Sequence, residues 1–351
     1  MEATKIIDID PDNIQETDMK KIKEAANILK SGGLVAFPTE TVYGLGANGL
    51  DELAVKKIFE AKGRPSDNPL ILHVSGLKEM KNLVKGITPE VNNLIDTFWP
   101  GPLTLVLEKT DMVPDIITGG LTTVAIRMPS NPIALKLIEL SGLPVAAPSA
   151  NISGKPSPTR GDHVVKDLAG KVDLIIIGGN CDVGLESTVL DMTGEVPVIL
   201  RPGGITKTEL EQVLGRVEVD KGLSGNSDIV PKSPGMKYTH YAPKAQVYIV
   251  KGSKAVDNIN KLAAEYEKQG KDVGILCFDD TYPLYHYDIV KSMGNRKDLN
   301  EVASNLFNLL REFDNTTVDI ILSEAVEEVD IGQAIMNRLT KAAGYRIIEG
   351  E

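Results

Sequence analysis

Two hydroxyls and a carboxylate, Thr39, Glu40 and Thr41, follow directly on the apolar run Leu34-Val35-Ala36-Phe37 and its Pro38. An α/β fold binds ligands just past the ends of its buried strands, so this is a place for polar groups to meet a substrate. Lys62, Arg64 and Asn68 lie in the segment Lys62-Gly-Arg-Pro-Ser-Asp-Asn-Pro69, ahead of the strand-like run Leu70-Ile-Leu-His73-Val74. Two cations and small polar groups suit an anion, although such a segment read alone is equally a solvated turn. Arg127 interrupts an otherwise apolar stretch, Thr123-Val-Ala-Ile-Arg127-Met. A buried guanidinium needs an internal carboxylate, or the carboxylate or phosphate of a ligand. Ala147-Pro-Ser149-Ala-Asn151-Ile-Ser153-Gly follows another apolar run with hydroxyls, an amide and small residues. There a ligand could approach the backbone closely, and capping of the helix near 160 is the simpler alternative. Glu186-Ser187-Thr188 and Arg201-Pro202-Gly203 complete the set.

Other chemistries fit poorly. Gly44-Leu-Gly46-Ala-Asn-Gly49 has the GxGxxG form, but it does not begin directly after its strand and no acidic residue follows at the ribose position. Its glycines read more simply as shaping a turn. The GxxxxGK[ST] phosphate loop is missing, so a nucleotide must be held in another way. Cys181 and Cys277 stand far apart, as expected of two buried thiols rather than a disulfide or zinc framework. His73, His163, His240 and His286 are scattered, so no protein metal site is expected.

Helical and strand patterns alternate along the chain, which predicts an α/β protein of two domains. Ile22, Ala25, Ala26, Ile28 and Leu29 line one face of a helix over 18–31 that Gly32 and Gly33 stop. Strands are expected at 34–37, 70–74, 103–109, 123–128, 173–177 and 187–200, with helices near 51–60, 89–98, 131–141 and 160–169. The catalytic domain then covers 1–215. Residues 216–245, rich in glycine, proline and serine, read as a linker and possible lid. Residues 246–351 read as a smaller Rossmann-like unit, with strands at 246–250, 273–278 and 318–323 and helices at 254–268, 298–313 and 332–343.

The net charge of −11 falls on both halves of the 351-residue chain, and neither half has the basic balance of a dedicated nucleic-acid binder. No apolar run approaches the roughly 20 residues that span a bilayer. The charged start, Met1-Glu-Ala-Thr-Lys5, does not suit a signal peptide. A cytoplasmic protein without membrane attachment is expected.

The ordered set PTETVYGLG, KGRPSDNPL, the arginine of AIRMP, PSANISG, ESTV and RPG resembles the YrdC-like domain of the L-threonylcarbamoyladenylate synthase family. The segment Ser233-Pro-Gly-Met-Lys-Tyr238-Thr-His-Tyr241-Ala-Pro243 and the unit after it resemble that family's longer, two-domain branch, so the resemblance covers nearly the whole chain. It implies a twisted YrdC-like α/β domain that joins L-threonine, bicarbonate and ATP into threonylcarbamoyl-AMP and pyrophosphate. The product serves threonylcarbamoyladenosine formation in tRNA, at the adenosine next to the anticodon. Threonine is then expected near Thr39, Thr41, His73, Arg127, Ala147 and Ser187. ATP is expected near Arg64, Asn68, Thr123, Ser149, Asn151, Ser157 and Arg201, with Tyr238 or Tyr241 folding over the nucleotide. Lys62 and Arg64 are the candidate catalytic cations. Mg²⁺ would arrive with ATP, no tightly bound organic cofactor is implied, and a downstream threonylcarbamoyl-transferase machinery would take the product. Any contact with tRNA would be weak or indirect. No general base is evident, His73 being as readily a core histidine. The alternatives are an RNA-binding module without nucleotide chemistry and a carbamoyl transferase, whose acylphosphatase and zinc-finger signatures do not appear.

Overall fold

The computed structural model describes residues 3–66, 68–224 and 241–350. They divide into two compact units, one of residues up to 153 together with 157–224, the other of residues 154–156 together with 241–350.

The first unit opens with β1 (Lys5–Asp8), α1 (Glu16–Lys30), β2 (Val35–Phe37), β3 (Gly44–Asn48) and α2 (Glu52–Lys62). It continues through β4 (Ile71–His73), α3 (Leu77–Leu83), α4 (Pro89–Phe98), β5 (Leu103–Glu108), α5 (Asp115–Thr118) and β6 (Thr123–Arg127). Next come α6 (Pro132–Ser141), β7 (Val145–Ala146), α7 (Gly161–Leu168), β8 (Leu174–Ile177), β9 (Thr188–Asp191), β10 (Val198–Arg201), α8 (Lys207–Leu214) and β11 (Glu218–Val219). All eleven strands form one mixed sheet in the order β1-β8-β2-β3-β7-β4-β6-β5-β9-β10-β11.

Strand side chains alternate between the two faces, so successive residues feed two different cores. Val35 and Phe37 join Ile22, Ala25 and Leu29 of α1 and Ile133 and Leu137 of α6. Leu34 and Ala36 join Val55 and Ile58 of α2 and Leu94 of α4. Capping sets the helix limits that matter for the site. Asp51 accepts from the amides of Leu53 (2.9 Å) and Ala54 (3.3 Å) to start α2. Gly63, at φ 61°, ends it in the left-handed conformation, which keeps Lys62 in the buried last turn.

Two expectations change. The Gly44–Gly49 segment is not a turn: Gly44–Asn48 is β3, antiparallel to β2. A Cβ on Gly46 would lie 2.7 Å from the Phe37 ring and 2.9 Å from Val145, so the glycine makes room for neighbouring side chains within a strand. The stretch 187–200 is two antiparallel strands, β9 and β10, because Thr193-Gly194 turns the chain. Residues 218–219, within the stretch read as linker, extend the first unit's sheet as β11 alongside β10.

The second unit contains β12 (Gln246–Lys251), α9 (Ala255–Lys268), β13 (Val273–Cys277), β14 (Ile289–Ser292), α10 (Leu299–Phe313), β15 (Ile320–Glu324), α11 (Ile331–Ala342) and β16 (Ile347–Glu349). Its strands are all parallel, in the order β14-β13-β15-β12-β16, as expected of a small Rossmann-like sheet. Among the described residues, no helix is long and apolar enough to cross a membrane.

Candidate active site

Strand register gathers the polar residues of the first unit along one sheet edge. His73 ends β4 and pairs with Arg127, which ends β6. Arg127 also stands opposite Thr104 at the start of the antiparallel β5. β9 runs parallel to β5 and begins beside Ser187, and Arg201 ends β10. Thr39–Thr41 leave the end of β2 at the same edge, where Phe37 pairs with Gly44.

Arg127 lies at the centre, buried. Its Nε donates to the Gly101 carbonyl at 3.2 Å and its Nη1 to Thr41 Oγ1 at 2.9 Å. Thr39 Oγ1 donates its single proton to the Val42 carbonyl at 2.6 Å, so the 2.9 Å contact between the two threonines is donated by Thr41. The proton order thus runs from Arg127 through Thr41 and Thr39 to the backbone. Arg127 Nη2 stands 2.6 Å from Glu40 Oε1, an ion pair whose angles make no hydrogen bond. Of the two partners left open by sequence, the protein itself supplies a carboxylate. Glu40 stands out in the sequence as part of the Thr39–Thr41 polar group, but nothing there gives it this role.

His73 is buried beside this pair, and its Nδ1 has no hydrogen-bond partner. Burial, reinforced by the positive charge of Arg127, lowers its pKa to about 3, so the ring is neutral at physiological pH.

A second group surrounds Ser187. Its Oγ lies 2.7 Å from Thr104 Oγ1 and accepts from Arg201 Nη2 at 3.0 Å, and Arg201 Nε donates to the Ser187 carbonyl at 3.0 Å. Gly203 permits this turn, because a Cβ there would come within 2.3 Å of the Thr188 nitrogen. Ser157 donates its hydroxyl to Glu186. Thr104 is not singled out by the sequence.

Lys62 fastens the Ser149–Asn151 loop. Its ammonium reaches the carbonyls of Ser149 (2.5 Å) and Asn151 (2.7 Å) and the Asn151 side-chain oxygen (3.4 Å). Ser149 donates to the same Asn151 oxygen at 2.6 Å. Ala147 is buried beyond β7, its amide bonded to the Ile71 carbonyl at 3.1 Å. Arg64 follows the Gly63 cap, its amide donating to Phe59. Asn68 is 0% exposed, and neither its Oδ1 nor its Nδ2 has a hydrogen-bond partner. A buried amide left unmatched costs about 1–3 kcal/mol, so this one is arranged for something beyond the protein's own groups.

Thr123 is not brought to this edge. It begins β6 opposite Glu108, four residues of extended chain, about 13 Å, from Arg127. Tyr238 lies outside the described residues. Tyr241 stacks on Phe307 with ring centroids 5.0 Å apart, inside the second unit. Among the described residues, no three His, Cys, Asp or Glu are grouped to hold a metal ion.

A family model described as telomere recombination, of the Sua5/YciO/YrdC group, matches residues 27–203. A second, described as threonylcarbamoyl-AMP synthase, C-terminal domain, matches residues 205–344. The curated threonylcarbamoyl-AMP synthase of Pyrococcus abyssi is 54% identical, over 94% of this chain and 96% of that one.

The chain belongs to the threonylcarbamoyl-AMP synthase family.

The synthase of Bacillus subtilis is 51% identical, with 95% of each chain covered. The crystal structure of P. abyssi Sua5 complexed with L-threonine superposes with a TM-score of 0.94 at 52% identity, over 99% of this chain and 100% of that one. Threonylcarbamoyl-AMP synthases form an adenylate, so the protein is an enzyme of the nucleotidyltransferase class.

Proposed function

We propose that this threonylcarbamoyl-AMP synthase converts L-threonine, bicarbonate and ATP into threonylcarbamoyl-AMP and pyrophosphate. The observation that carries the reading is the buried Arg127, set among the Thr41 hydroxyl, the neutral His73 and the Glu40 carboxylate at a strand-end edge. A planar guanidinium there matches the carboxylate of an amino acid in two-pronged fashion. P. abyssi Sua5, with the same fold, has been crystallised with L-threonine, which supports the same ligand here.

Threonine's amine first becomes a carbamate, and a carbamate oxygen then attacks the α-phosphorus of ATP with pyrophosphate leaving. The two anions repel one another, so the site works by presenting cations and donors fixed before the reactants arrive. Arg127, Thr41, Thr39, Ser187 and the Ala147 backbone serve threonine. Arg64, Asn68, Ser149, Asn151, Ser157 and Arg201 serve ATP, with Lys62 holding the Ser149–Asn151 loop. Thr123 joins them only for a nucleotide that extends along β6. Mg²⁺ arriving with ATP would neutralise charge on the phosphates. The enzyme works in the cytoplasm and passes its product to a transferase that modifies tRNA beside the anticodon. Mass spectrometry of the purified protein incubated with the three substrates should reveal the mixed anhydride adenylate. Accumulation of ADP or AMP without that species overturns the reading.

A further inference from the structure

Glu40 has an unusual position for a buried carboxylate. It is 8% exposed and is held by charge alone, because no donor reaches either oxygen in hydrogen-bond geometry. A carboxylate out of water ordinarily collects two or three donors. Its ion-pair partner is the guanidinium that would receive threonine's carboxylate. The head of an amino acid carries a carboxylate and an ammonium on one carbon, and Arg127 beside Glu40 offers the opposite charges side by side.

Neither His73 nor Cys181 offers the ammonium a negative charge, and Glu186 is already engaged. His73 is held neutral, with a pKa of about 3, so it brings no negative charge to receive an ammonium. Burial pushes the Cys181 thiol well up, and Glu40 adds to the effect. Glu186 accepts the Ser157 hydroxyl.

We propose that Glu40 receives the α-ammonium of the substrate and takes the proton that the amine must lose before it forms the carbamate. This rests on the reaction proposed above. The ammonium gives one proton to Glu40, leaving an amine and a neutral carboxylic acid. The nitrogen lone pair then bonds to the carbon of bicarbonate, whose hydroxyl leaves as water with the second amine proton. The carbamate keeps one negative charge for its attack on ATP.

Glu40→Gln keeps the size and one oxygen for Arg127 but removes the proton acceptor. At saturating threonine, pyrophosphate release at pH 7 should fall at least about 100-fold, the scale of a lost acid–base group. The deficit should shrink between pH 7 and 9, because the free amine increases about tenfold per pH unit below its pKa. Arg127 on β6 is paired with Glu40, Cys181 in the loop before β9 feels the charges of both Glu40 and Asp182, and His73 on β4 feels those of Arg127 and of Arg201 on β10. Burial keeps the Cys181 thiol and the His73 imidazole neutral across this window, so the change reports the amine. A deficit below about threefold, or the same at every pH, overturns the proposal. If the glutamine variant does not fold, calorimetry on the unaltered enzyme decides with 2,3-dihydroxybutanoate, which replaces the ammonium by a hydroxyl. Binding at least about 30-fold weaker than threonine is expected, and equal binding overturns the proposal. Failure of the functional reading would look different: the unaltered enzyme would release pyrophosphate without needing threonine and bicarbonate.

Discussion

Lys62 Nζ donates to the Asn151 carbonyl at 2.7 Å, joining the end of α2 to a loop 89 positions away. With the Ser149 carbonyl and the Asn151 side chain it satisfies all three protons of a buried ammonium. Lys62→Met should therefore lower stability by about 1.5–3 kcal/mol in denaturant unfolding, along with activity, because bonds to a charged group are lost and carbonyls are stranded. Full stability with lost activity would assign the ammonium to the phosphates instead.

Asn68 should show the opposite pattern. Its amide forms no bonds to the protein, so Asn68→Ala removes an unmatched polar group as well as some packing. Stability should stay within about 1 kcal/mol of the parent while the KM for ATP rises about tenfold, equivalent to about 1.4 kcal/mol. Unfolding curves and ATP titrations of the same preparation check both halves. A large stability loss would make Asn68 a structural residue.

Arg127→Lys replaces a planar fork with a point charge. The KM for threonine should rise about tenfold or more, and the KM for ATP by no more than about twofold. Initial rates with each substrate varied in turn test this. Equal changes in both would show that Arg127 serves mainly as the partner of Glu40.

Much of this arrangement was legible in the sequence. Leu34–Phe37 stopped by Pro38, and Arg127 within an apolar strand, stand out because polar residues break a strong apolar pattern. β3 was hidden because Gly44, Gly46 and Gly49 look like a turn unless Phe37 and Val145 are known to crowd Gly46. β14 and β16 escaped notice because they are short, partly exposed edge strands without a continuous apolar run. Glu40 could be seen as a residue but not as a partner. Arg127 comes from a strand far along the chain, and only the sheet order β2-β3-β7-β4-β6 brings the two together.

His73 gives the pH dependence of stability a definite sign. Its folded pKa of about 3 lies below the ordinary value of 6.5, so the unfolded chain binds the proton first as pH falls. The stabilisation is complete above pH 6.5 and is lost between 6.5 and about 3, at up to about 1.4 kcal/mol per pH unit. Between pH 6.5 and 5 the parent should lose about 2 kcal/mol more than His73→Asn, whose side chain does not titrate. Denaturant melts at the two pH values provide the comparison. Parallel losses would mean that His73 is protonated in the folded protein.

The central claim is that one buried edge of the first unit turns threonine into a carbamate and joins it to AMP. The most direct measurement is pyrophosphate release by the purified protein with ATP and Mg²⁺, adding threonine and bicarbonate separately and together. Release that requires both additions is the predicted result. Equal release with ATP alone, or with threonine in bicarbonate-free buffer, would contradict it.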